Sequence, residues 1–76
     1  MKYTHLSKEQ QAQEKKGRIQ SLERRHFLRT LDLQEAHALA AASTTNDEER
    51  ERMVNVGQIM LDIQAIETSL SALNAE

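Results

Sequence analysis

The sequence predicts an all-α fold: an antiparallel two-helix hairpin, coiled-coil-like, that dimerises into a four-helix bundle. Three observations predict it. Val56, Ile59, Ile63, Ile66, Leu70 and Leu73 recur at alternating spacings of three and four, the seam along which one helix lies lengthwise against another. The chain has no Pro and only two Gly, and it is rich in Ala, Leu, Glu, Gln, Lys and Arg, all strong helix formers. Ser43, Thr44, Thr45 and Asn46 form the one mid-chain cluster of turn and cap formers, so the helical chain doubles back there.

Residues 1–6 carry no periodic pattern and read as a flexible N-terminal tail ahead of a hairpin over residues 7–76. Helix 1 is expected over about residues 7–42, the turn over 43–46 and helix 2 over about 46–74. Ser7 with Gln10 three residues on reads as a capping box. From there to Gly17 the only apolar residue is Ala12, so this stretch is helical by propensity but has no face to bury, and is expected to fray or to order against a partner. Beyond it the apolar residues fall on two sides of helix 1 at 100° per residue: Ile19, Leu22, Leu33 and Ala40 on one, and Phe27, Leu28, Leu31, Ala38, Leu39 and Ala42 on the other. Thr45 or Asn46 can cap helix 2, whose acidic start at Asp47, Glu48 and Glu49 suits the positive end of its dipole.

Folding the chain at this turn brings residues whose numbers sum to roughly 89 to one level. Ile19 then faces Leu70, Leu22 faces Ile66 and Leu33 faces Val56, while His26 and Thr30, opposite Ile63 and Ile59, make the middle of the seam polar. Met53, Val54, Met60 and Leu61 fall beside Phe27, Leu28, Leu31 and Leu39, off the seam. Two helices share one line of contact, so this second layer is the expected interface with a dimer mate or another protein.

The chemistry available is narrow. With no Cys there is no thiol redox chemistry and no disulfide, and a reducing cytoplasm is the expected setting. Residues 1–13 lack the apolar stretch of a signal peptide and nothing is long enough to span a bilayer, so a soluble protein with no membrane partner is expected. There is no glycine-rich turn to expose a nucleophile or cradle a phosphate, and a rod of two helices offers no concave pocket, so no enzyme is expected and no cofactor.

The net charge of −2 makes this a small acidic protein, but residues 1–38 carry eight Lys and Arg against five Asp and Glu, while residues 39–76 carry two against seven. Arg18, Arg25 and Arg29 share one stripe of helix 1 that could meet phosphates or an acidic protein, although Tyr3 and Phe27 are the only aromatics on which bases could stack. Glu23 and His26 have the Glu-x-x-His spacing of di-metal bundles, with Glu67 near their level on helix 2, though one such spacing arises readily by chance. The bland alternative for His26 is a half-buried residue hydrogen-bonded across the seam. His37 lies about 16 Å from it along the helix, too far to share an ion.

The expected function is therefore that of a non-catalytic protein–protein interaction module, an adaptor, chaperone or small inhibitor, whose interface is Phe27, Leu28, Leu31, Leu39, Met53, Val54, Met60 and Leu61. Its expected partners are a second copy and another protein. The alternatives are a nucleic-acid-binding hairpin dimer using Arg18, Arg25 and Arg29, and, more weakly, a di-metal bundle using Glu23, His26 and Glu67.

Overall fold

Helix α1 (Lys8–Ala41) starts where side chains satisfy its first amides. In the computed structural model, which describes residues 6–75, the Gln10 amide donates to Ser7 Oγ at 3.1 Å and the Ser7 amide donates to Gln10 Oε1 at 2.9 Å. The capping box is thus formed, and it removes two of the unpaired donors every helix start carries. Apart from Leu6, the expected tail lies outside the described residues, as do Tyr3 and His5. Helix α2 (Asn46–Asn74) begins at Thr45, whose Oγ1 accepts from the Glu48 amide at 3.1 Å. Of the two cap candidates Thr45 is the one used, and Asn46 is already helical.

The turn between them is tied by charge. No basic residue stands in the last turn of α1, so its exposed carbonyls need a donor from elsewhere. Arg52 of α2 supplies it, donating to the Leu39 carbonyl at 2.7 Å and to Ser43 Oγ at 3.4 Å. Glu48 holds Arg52 at 3.2 Å and accepts from the Thr44 amide at 3.1 Å. One ion pair thereby spans the end of α1, the turn and the start of α2.

The two helices pack along the seam as an antiparallel hairpin, a rod of 58 × 18 × 18 Å. On α2, Val56, Ile59 and Ile66 are buried and Ile63, Leu70 and Leu73 half-buried, the six positions of the expected seam. On α1 the inward line runs through Ile19, Leu22, His26, Arg29, Leu33, Ala36 and Ala40, again at spacings of three and four, and continues to half-buried Ser43 in the turn. Ala36, Val56 and Ile59 form the centre of the core, with Leu33 and Ile63 packed against it. Alanine at 36 and 40 lets the backbones come close near the turn, where both are buried.

The register differs slightly from expectation. Contacts of His26 with Glu67, Arg29 with Asp62 and Leu39 with Arg52 give facing residues that sum to 91–93 rather than 89. His26 therefore stands level with Ile66 and Glu67, not Ile63, and Leu33 with Ile59. The reason lies at the turn: the acidic first turn of α2 stands beyond the end of α1, so residues there are spent before the seam engages at Arg52. In this register Asn74 is level with about Gly17 to Ile19, and α1 continues roughly 15 Å past the end of α2 as a polar helix, the stretch that offered no apolar face.

Candidate interaction surface

Residues off the seam are exposed whatever their chemistry, because a hairpin has no second layer to cover them. Among the described residues, Phe27, Leu28, Leu31, Leu39, Met53, Val54, Met60 and Leu61 are the large apolar residues that stand exposed, with 40% to 66% of each accessible. They are the eight named from the sequence as interface candidates. Their arrangement corrects one detail, since they do not form one flank. The His26 to Glu67 contact marks one side of the hairpin, and the Arg29 to Asp62 and Arg52 to Leu39 contacts mark the other. At 100° per residue from the seam, Phe27, Met53 and Met60 fall on the His26 side, and Leu28 and Leu39 on the Arg29 side. Leu31, Val54 and Leu61 point away from the seam altogether. Leu39 accordingly borders an open groove shared with Ala36, Glu48, Glu51, Arg52 and Asn55.

The two sides differ in charge. The Arg29 side carries ion pairs: Arg29 donates to Asp32 at 2.9 Å and to Asp62 across the seam, and Arg52 holds Glu48. The hydrogen bond to Asp62, then that to Asp32, raises the Arg29 pKa above its ordinary value, so this guanidinium stays charged at every physiological pH. The other side carries the His26–Glu67 pair, with Phe27, Met53 and Met60 exposed beside it.

The accessible surface is 6137 Å². A compact protein of this mass exposes about 4,700 Å². The excess of roughly 1,400 Å² over that figure follows from the rod shape, which leaves the outer faces of both helices and the overhanging start of α1 uncovered.

The other residues singled out from the sequence are placed as follows. Arg18 and Arg25 are exposed, whereas Arg29 is half-buried and engaged by two aspartates, so the three do not form a free basic stripe. His26 Nε2 lies 3.0 Å from Glu67 Oε2, the cross-seam hydrogen bond of the bland reading, and Thr30 Oγ1 donates to the His26 carbonyl at 2.8 Å. Among the described residues no three of His, Asp or Glu come together as ligands for one ion, and Glu23 does not join the His26–Glu67 pair. The polar middle of the seam is thus satisfied internally, and no buried side-chain nitrogen or oxygen lacks a partner among the described residues. Arg29 and Arg52 were missed as seam residues. The signal was there, because the four-three spacing of α1 passes through Arg29 just as it passes through Leu33.

No helix among the described residues is long and apolar enough to cross a membrane. Compared with protein-family models, with curated proteins and with solved structures, the chain matches none of them.

Proposed function

We propose that the protein is a non-catalytic interaction module that works through the apolar side chains its own fold leaves uncovered. Its first partner is a second copy of itself, giving a four-helix bundle, and the assembled surface serves as an adaptor, chaperone or small inhibitor of another protein. One observation carries this reading: among the described residues, eight large apolar side chains stay exposed. Four of them, Met53, Val54, Met60 and Leu61, adjoin on the surface of α2, and contiguous exposed apolar surface marks association sites. A Cys-free chain suits the cytoplasm.

The test is the double variant Leu31→Asp with Leu61→Asp, examined by light scattering and circular dichroism. Neither side chain belongs to the core, so helicity is retained while association is lost. A variant that keeps the wild-type mass in solution and its partner would refute the reading.

A further inference from the structure

The charges of the hairpin are sorted along its length. Residues 10–31 and 63–75, which share the open end of the rod, carry six Lys and Arg against three Glu, a net of +3, while residues 32–62 at the turn end carry two Arg against seven Asp and Glu, a net of −5. At 1.5 Å per residue the cations around Arg18 to Arg25 and the acidic start of α2 stand about 30 Å apart along the rod, more than three Debye lengths in physiological salt, so an anion at the open end is not repelled by the turn. The arginines divide in the same way. Arg29 and Arg52 hold carboxylates and Arg50 touches Asp47, whereas Arg18, Arg24 and Arg25 are exposed and paired with no carboxylate among the described residues. These three adjoin. The four nearest neighbours of Ser21 on the helix surface, one turn before and one turn after, are Gly17, Arg18, Arg24 and Arg25. One exposed hydroxyl is thus ringed by three guanidinium groups, and at Gly17, where a Cβ would meet nothing, the approach is open. On α2 the residues that follow Asp62 along the Arg29 side, Ala65, Ser69 and Ala72, are small and uncharged.

We propose that the ring of Arg18, Arg24 and Arg25 around Ser21 seats the phosphate backbone of a nucleic-acid duplex. This goes beyond the interaction module and does not depend on self-association. The chemistry of the ring chooses the ligand. Guanidinium and hydroxyl groups are the donors that meet phosphates, and they hold a backbone without reading its bases. The ring lies on the convex surface of a helix, with no cavity to strip water from a small anion, so its binding energy comes from counterions released by a polyanion. Phe27, the one aromatic among the described residues, falls on the His26 side, so the ring has no platform on which the bases of a single strand could stack. An acidic protein would be anchored by a buried apolar or aromatic centre, and the centre here is a serine. Arg24 therefore takes the place that the sequence gave to Arg29, whose guanidinium is spent on Asp32 and Asp62.

The experiment is a fluorescence-anisotropy titration of labelled DNA and RNA duplexes with the full chain. Three phosphate contacts give a slope of about −2.7 in a plot of log affinity against log salt, so affinity is expected to fall about 40-fold between about 50 and 200 mM salt. Changing Arg18, Arg24 and Arg25 together to Gln is expected to abolish binding with helicity and melting temperature unchanged, because all three side chains are exposed and unpaired. Lysine at the same three positions is expected to keep the salt slope, and Arg50→Gln, at the turn end, to bind as wild type does. Binding of either duplex that disappears with the three arginines supports the site. A wild-type chain that binds neither duplex, a triple Gln variant that binds as tightly as wild type, or polyglutamate that binds as tightly as the duplexes overturns it. None of the three arginines belongs to the apolar surface proposed for association, so the two readings fail separately: the mass of the chain in solution tests one and the titration tests the other.

Discussion

Leu61→Ala separates what the hairpin needs for itself from what it needs for association. Leu61 is 66% exposed, the most exposed of the large apolar residues, on a helix whose core residues are Val56, Ile59 and Ile66. In an isolated hairpin its truncation is close to neutral, since little packing is lost and alanine is the better helix former. In a symmetric dimer the remaining two-thirds of the side chain leaves water on association. Full burial of a leucine contributes about 1.5–3 kcal/mol, so that fraction contributes about 1–2 kcal/mol per subunit and, counted in both copies, about 2–4 kcal/mol. The dissociation constant therefore rises roughly 30- to 1,000-fold. Sedimentation equilibrium over a broad concentration range measures this, with circular dichroism confirming that helix content is unchanged. A dissociation constant within about threefold of wild type would refute the reasoning, because it would leave Leu61 as exposed in the assembly as it is in the hairpin.

Four further outcomes follow from the same structure. Ile59→Ala removes a buried residue at the centre of the core and is expected to cost about 2–4 kcal/mol, enough to lower the melting temperature by about 10 °C or more in a chain this small; a shift no larger than that of Leu61→Ala would contradict the assigned core. Arg52→Met keeps the side-chain stem but leaves the Leu39 carbonyl without its charged donor, for an expected loss of about 1–2 kcal/mol in chemical unfolding. Arg50→Met, whose exposed pair with Asp47 is 3.5 Å long, is expected to cost under about 0.5 kcal/mol, and equal losses at the two positions would dismiss the turn clamp. Zinc, manganese or iron(II) is expected to leave the melting curve unmoved, since His26 is paired with one carboxylate and no third ligand stands beside them among the described residues; a rise in melting temperature would restore the site at Glu23, His26 and Glu67.

Much of the hairpin is legible in the residues because its determinants are local. The three-four spacing from Val56 to Leu73 is a property of one helix and needs no partner to be read, and Ser7 with Gln10 satisfies its amides within a single turn. Which apolar residues stay outside follows from the same rotation, and for that reason all eight could be named in advance. What escaped is what depends on the other helix. Arg52 reads as a surface charge until the end of α1, lacking a basic residue of its own, is placed beside it. Arg29 reads as part of a basic stripe until Asp62 arrives from across the seam. The shift in register has the same origin, because the length of chain used by the turn is set by that contact and not by the turn residues alone. The division of the apolar residues between two sides depends on it as well.

The claim that a second chain covers the apolar surface is tested most directly by the mass of the wild-type protein in solution. Sedimentation equilibrium is expected to give twice the 8.7 kDa chain mass at micromolar concentration, returning toward one chain only on dilution. A single species of 8.7 kDa that persists to millimolar concentration, with unchanged helicity, would contradict the account.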